Sequence, residues 1–150
     1  MDIRASVGTQ YDSRYQLIEM VSAWAHSLAG GIPEIIVPDP PIPDYDVKIV
    51  PSNPQAAQMC LRVDTPGKFV LHLGRNSWWD DIPLQSESLR DILNAVKSGA
   101  FTEHIRLIGA RVAASRGELV VAGQRWTDSG NGWLMALPIG REQVTKYEPY

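Results

Sequence analysis

AQMCLRVDTPGKFVLHLG, residues 57–74, is the stretch that decides the fold. Apolar residues occupy every second position on both sides of a short turn: Met59, Leu61, Val63, Phe69, Leu71 and Leu73. Side chains alternate between the two faces of a strand, so the pattern predicts a β-hairpin with one apolar face. Both apolar sets share that face if the loop has an odd number of residues. We expect a three-residue loop at 65–67, with Gly67 in the left-handed conformation and Asp64 opposite Lys68.

Two segments on either side of the hairpin have the spacing of amphipathic helices. The first predicted helix spans roughly residues 14–29, where Ser13 and Gln16 fit a capping box. Its apolar stripe is Leu17, Ile18, Val21, Trp24, Ala25 and Leu28. The second spans 87–98, with Ser86 as its cap. Its stripe is Leu89, Ile92, Leu93 and Val96.

Seven of the eleven prolines lie in residues 33–54, which argues against a helix or a central strand there. The same segment holds apolar branched residues, among them Ile35, Ile36, Val37 and Ile42. We therefore expect an ordered, extended segment at 32–54, with DVKIV (46–50) as a short edge strand. After the second helix, residues 102–139 have the pattern of a three-stranded meander with turns at 115–117 and 127–132.

The order of these elements predicts the fold class. Strands follow strands, so we expect an α+β fold with a largely antiparallel sheet of about five to six strands. Two main helices, 14–29 and 87–98, are expected to pack on that sheet. A chain of 150 residues fits a single domain, 1–150, with the proline-rich segment inside it.

Composition and charge narrow the classes of function. The net charge is −3, which gives no electrostatic reason to bind nucleic acid directly. No apolar run reaches the roughly 18 residues of a membrane span, and the N-terminus lacks the pattern of a secretory signal. With Cys60 as the single cysteine, the chain fits a reducing compartment, and we expect it to be cytoplasmic.

No catalytic, cofactor or metal motif emerges from the sequence. The three histidines, His26, His72 and His104, lack the i, i+4 or H-x-H spacing of common metal sites. Cys60 lies inside a predicted strand and is best interpreted as a packed thiol. Nucleophile-elbow and phosphate-loop glycine patterns are missing. We expect no catalytic residue, no metal and no cofactor.

The adjacent tryptophans in RNSWWDDIPLQSES, residues 75–88, stand out instead. Neighbours alternate in an extended segment, so one of Trp78 and Trp79 should face the core and the other should face outward. An exposed tryptophan beside carboxylates has the composition of a binding hot spot. The predicted partner-binding residues are Trp78, Trp79, Asp80, Asp81, Glu87 and Asp91. The alternative is that this segment folds back and covers both tryptophans.

Residues 67–101, GKFVLHLGRNSWWDDIPLQSESLRDILNAVKSGAF, resemble a layout found in small bacterial immunity proteins of contact-dependent and polymorphic toxin systems. In that layout a hairpin leads into a loop with tryptophan and acidic residues. A helix with L-x-x-I-L follows, here 89–93, and then a glycine–aromatic step, here 99–101. The resemblance implies a non-enzymatic protein that binds and neutralises a toxin, often a nuclease with a basic active site.

Two other classes of function stay open at the level of sequence. One is a small ligand-binding protein or enzyme, with a tryptophan-lined pocket between sheet and helices served by His104, Arg106 or Arg125. The other is an adaptor subunit that uses the proline-rich segment as a docking arm. The leading hypothesis remains a protein-binding module whose partner is a toxin domain.

Overall fold

A computed structural model describes residues 3–128, Met135 and 138–150, with side chains from Asp12 onward. Within these residues two helices and nine strands form an α+β fold with antiparallel sheets, which confirms the predicted class. The helices are α1 (Ile3–His26) and α2 (Ser86–Lys97). The strands are β1 (Glu34–Ile36), β2 (Val47–Val50), β3 (Met59–Thr65), β4 (Lys68–Leu73), β5 (Ser77–Pro83), β6 (Phe101–Ile108), β7 (Arg111–Val121), β8 (Gln124–Thr127) and β9 (Arg141–Lys146).

The strands divide into two sheets. The first has five strands in the order β1-β2-β3-β4-β5, and the second has four in the order β8-β7-β6-β9. Helix α2 connects β5 of the first sheet to β6 of the second. The division explains why the strands outnumber the five to six expected of one sheet. Each sheet has its own row of apolar side chains, and the two rows meet in a shared core.

Register in the first sheet separates an inner face from an outer face. Met59, Leu61, Leu71 and Leu73 are fully buried on the inner face. The outer face carries a row of directly paired residues, one from each of four strands: Lys48, Cys60, His72 and Trp78. The side of the first sheet that carries this row is its outer face.

The hairpin tip differs from the prediction. Thr65 pairs with Lys68, so the loop has two residues, Pro66 and Gly67, and Gly67 has a φ of 77°. A register shift between Arg62 and Thr65 absorbs the extra residue, and the predicted pairing is kept further from the tip. Lys68 lies 3.8 Å from Asp81 across the sheet, an ion pair that replaces the expected pairing with Asp64.

The N-terminal ends of both helices also differ from the prediction. Helix α1 begins at Ile3, so Ser13 is internal to the helix. Its hydroxyl accepts a hydrogen bond from the backbone N–H of Gly67 at 3.0 Å. Arg14 donates to Asp46 at 3.0 Å, which holds α1 against the first sheet. Helix α2 begins at Ser86, after an N-cap at Gln85 without a side-chain hydrogen bond, and all four residues of its predicted stripe are buried.

Two predictions about the strands are corrected. Strand β2 is internal, because β1 pairs along its other side, so DVKIV is no edge strand. Residues 115–117, predicted as a turn, lie within β7, and the turns fall after Ile108 and Val121. Most of the predicted strand at 133–139 and most of the predicted turn at 127–132 lie outside the described residues. Strand β9, which pairs with β6, was not predicted.

The two sheets touch where β5 meets β7. A Cβ added at Gly117 would collide with the Ser77 side chain, so the backbone of one sheet lies directly on a side chain of the other. Beside this contact, the Phe101 ring packs edge-on to Trp79, with 6.1 Å between ring centroids. It stacks on Tyr147 at 4.9 Å on its other side. The contact places the outer face of β5 beside the start of β7.

Candidate protein-binding face

The tryptophan segment is a strand rather than a loop, and its side chains alternate as expected for an extended chain. Trp79 is 6% exposed and belongs to the core, whereas Trp78 is half-buried on the outer face. Asp80 is exposed on the same side as Trp78, and both border one depression. Asp81 has a φ of 54° at an irregularity in the pairing between β4 and β5. That irregularity returns Ile82 to the core.

Trp78 stands between two surface depressions. The larger, of about 370 Å³, is here named the Trp78 depression, and it is lined by Arg62, Asp64, Val70, His72, Trp78 and Asp80. The smaller, of about 130 Å³, lies between Trp78 and residues 112–115 of β7. Val112, on its border, is 49% exposed. The indole therefore borders two depressions, one lined mainly by charged side chains of the first sheet and the other by small residues and Val112 of β7.

The walls of the Trp78 depression are held in place by the sheet. Val70 is 4% exposed and lies at its base. His72 and Trp78 are direct cross-strand neighbours. Arg62 donates to the backbone oxygen of Pro43 at 3.2 Å, which directs its guanidinium towards the segment before β2. Side chains on paired strands lose little conformational entropy when a partner binds.

The charge of the depression is negative. Asp64 and Asp80 contribute two carboxylates and Arg62 contributes one guanidinium. Desolvation, followed by repulsion from the Arg62 guanidinium, lowers the pKa of His72 below its ordinary value of 6.5. The imidazole is therefore neutral at pH 7, and the formal charge of the lining is −1.

Cys60 lies in the same outer row, next to His72. Burial raises the pKa of its thiol above 9.0; Lys48 opposes that shift and Asp44 adds to it. The protonated thiol is the favoured form at neutral pH, as expected for a packed cysteine.

The predicted partner-binding residues are only partly brought together. Trp78 and Asp80 share the Trp78 depression. Trp79 is in the core, and Asp81 lies 3.8 Å from Lys68. Glu87 and Asp91 are exposed on α2, whose buried stripe belongs to the shared core, and neither residue borders the Trp78 depression.

Sequence reasoning missed Arg62, Asp64 and His72 as neighbours of Trp78. The sequence did contain the pattern that places them there, because these residues alternate with Leu61, Val63, Leu71 and Leu73 in the predicted hairpin. Alternation places them together on the face opposite the core. Val112 had no such signal, since its position depends on how the second sheet packs against the first.

The groups proposed for a ligand pocket lie elsewhere. His104 contacts two carboxylates through different ring nitrogens: Nδ1 is 3.0 Å from Glu142 and Nε2 is 4.0 Å from Glu118. Arg106 donates to the backbone oxygens of Met135 and Ile139. Arg125 is exposed on β8. Among the residues that the structure describes, no three His, Cys, Asp or Glu side chains are grouped to hold a metal ion.

The cleft between α1 and α2 is small, with a volume of about 160 Å³. Trp24 is on its border, and its indole N–H donates to Asn94 at 2.9 Å, linking the two helices. The indole N–H of Trp24 therefore joins the two helices and already has a hydrogen-bond acceptor within the protein.

No family model, no curated protein and no solved structure matches this chain. Neither helix in the described part of the chain combines the length and apolar character needed to cross a membrane.

Proposed function

We propose that this protein is a non-enzymatic protein-binding module, and most concretely a cytoplasmic immunity protein that binds and neutralises a bacterial toxin. The observation that supports it best is the position of Trp78. A half-buried indole on paired strands borders two depressions, and the larger one is lined by two carboxylates and one guanidinium. Binding hot spots are typically aromatic residues in such settings, surrounded by groups that exclude water.

Electrostatics support a basic partner. The chain carries a net charge of −3, and the Trp78 depression has the same sign. Complementary charge speeds association and excludes wrong partners more than it raises affinity. A toxin that cleaves nucleic acid has a basic surface for phosphate, so a nuclease toxin is the preferred partner.

The direct test is toxin protection. The expected genomic neighbour is a large toxin gene directly upstream, and its toxin domain is the partner to co-express with this chain in a bacterial host. Growth should be restored, and the purified proteins should form a tight one-to-one complex. A chain that neither protects nor binds, or a gene that lies among metabolic genes, would contradict the proposal.

Variants locate the binding face in the same assay. Trp78→Ala should weaken toxin binding by at least about 2 kcal/mol, or roughly thirtyfold. Tyr15→Ala is a matched control, because Tyr15 is an exposed aromatic residue on α1, 56% accessible. Melting temperatures of both variants separate lost contacts from lost folding. Equal binding by both variants would place the interface away from Trp78.

A further inference from the structure

We propose that the Trp78 depression receives an arginine side chain of the partner protein. The inference deepens the proposed function, on which it rests for the partner being a protein. The guanidinium would lie against the indole of Trp78 and between the carboxylates of Asp64 and Asp80. The shape, the charge and the chemistry of the lining each favour this side chain.

Shape favours one side chain over a larger ligand. The volume of about 370 Å³ is near the lower end of the range for ligand pockets. Its base is the buried side chain of Val70, and its wall is the indole of Trp78. An extended side chain with an apolar stem and a polar end matches an apolar base with carboxylates around it.

Charge favours a cation. The lining has two carboxylates against one guanidinium, and the His72 imidazole adds no charge at pH 7. The Arg62 guanidinium donates to Pro43, on the side away from β5, where Trp78 and Asp80 lie. The formal charge of the lining is therefore −1, which favours a cationic side chain.

The chemistry of the lining favours arginine over lysine. A planar guanidinium stacks on an indole face and is more weakly hydrated than an ammonium group. It also presents parallel N–H donors that match a carboxylate. Trp78 and Asp80 are two residues apart on one strand, so both project from the same face of β5. One guanidinium can thus stack on the first and donate to the second.

The experiment uses small probes and the folded chain, without a toxin. Nα-acetyl-arginine methylamide is titrated at millimolar concentration, and backbone amide NMR shifts are recorded. The citrulline analogue, which has the same shape and no charge, is the matched control, and the lysine analogue tests the preference for a guanidinium. We expect arginine shifts confined to β3, β4 and β5 around Arg62, His72 and Trp78, with weaker shifts for lysine and none for citrulline.

Variants then test each contact. Trp78→Leu should weaken arginine binding roughly two- to fivefold, and Trp78→Phe should retain most of it. Asp80→Asn should weaken binding about tenfold, because it removes a charge-assisted hydrogen bond at nearly constant shape. Glu19→Gln, at an exposed position of α1 outside the lining of the depression, should leave binding unchanged. Melting curves confirm that each variant is folded before it is titrated, and Asp64→Asn replaces any variant that is not.

Equal shifts with arginine and citrulline, equal binding of lysine, or full binding by both Trp78→Leu and Asp80→Asn would overturn the inference. The proposed function has a separate readout. Toxin protection without arginine binding would reject the arginine site alone, and arginine binding without toxin protection would reject the toxin partner alone.

Discussion

At the scale of single residues, Glu103 shows how the interior of this fold holds a carboxylate. Glu103 is fully buried, and four groups donate to its two oxygens. Oε1 accepts from the Arg75 N–H at 3.2 Å and the Tyr147 hydroxyl at 3.2 Å. Oε2 accepts from the Asn76 N–H at 2.9 Å and the Ser77 hydroxyl at 2.7 Å. The side chain therefore joins the β4–β5 turn to β6 and to the C-terminal segment.

Glu103→Gln should destabilise the protein by about 1–3 kcal/mol, because the amide group faces a backbone N–H that then lacks an acceptor. Denaturant unfolding measures the loss. Glu87→Gln, an exposed glutamate, is the control and should change stability by less than about 0.5 kcal/mol. If both variants unfold at the same denaturant concentration, the hydrogen bonds of Glu103 add nothing to stability.

His72 gives a prediction about pH. Its pKa is lowered in the folded protein, first by desolvation and then by the Arg62 guanidinium. Well above pH 6.5 the imidazole is neutral in both the folded and the unfolded chain, so its titration does not affect stability there. As pH falls below 6.5 the unfolded chain takes up the proton first, and stability is lost until the folded pKa is passed.

The difference in melting temperature between the parent and His72→Gln should therefore be constant above about pH 7. Below pH 6.5 the melting temperature of the parent should fall relative to that of His72→Gln. Arg62→Gln removes the smaller of the two causes of the lowered pKa. In an Arg62→Gln protein, the stability that His72 costs below pH 6.5 should therefore be smaller but still measurable. A parent and His72→Gln variant with parallel profiles from pH 5 to 8 would contradict the lowered pKa.

At the scale of elements, apolar periodicity predicted α2, β3 and β4, whereas contacts between segments decided where several elements begin and end. The stripe of α2 and the alternation in β3 and β4 depend on one face being buried, and the spacing of apolar residues in the sequence reflects this directly. The choice between Trp78 and Trp79 as the exposed residue depends on register, which the sequence around them does not fix. Helix α1 continues to Ile3, before the residues predicted to cap it.

Gly117 explains one wrong boundary. In the sequence Ser-Arg-Gly is typical of a turn, and a turn was predicted at 115–117. In the structure the glycine lies within β7, where the lack of a Cβ lets Ser77 of the other sheet approach the backbone. A glycine used for close approach and a glycine used for a turn have the same local signature.

Gly117→Ala should destabilise the protein by about 1–3 kcal/mol, because the new methyl group displaces Ser77 and weakens its hydrogen bond to Glu103. Gly31→Ala is the matched control: Gly31 has a negative φ and no atom within 4 Å of the added Cβ. That control should be neutral or slightly stabilising. Chemical denaturation of the two variants gives the comparison, and equal stabilities would show that the sheets can separate there without cost.

At the scale of the whole molecule, the segment 147–150 joins parts that the sequence separates widely. Tyr147 donates its N–H to Phe101 at the start of β6, and Glu148 donates to Gln55 in the connection before β3. Tyr150 reaches both α2, through its N–H to Lys97, and the same connection, through its hydroxyl to Ala57 at 2.8 Å. No local pattern of apolar residues predicts contacts of this range.

Tyr150→Ala should therefore reduce the stability of both sheets together. The half-buried ring and its hydrogen bond are lost, at a cost of about 2–4 kcal/mol, and melting should fall by roughly 5–15 °C. Tyr150→Phe keeps the ring and should lose about 0.5–1.5 kcal/mol. Amide hydrogen exchange of β3 and β4 can be compared with that of β6 and β7 in the parent and in each variant. Because segment 147–150 joins β6 and α2 to the connection that leads into β3, protection should decrease by the same free energy in each sheet; a loss confined to one sheet would show that the sheets unfold independently.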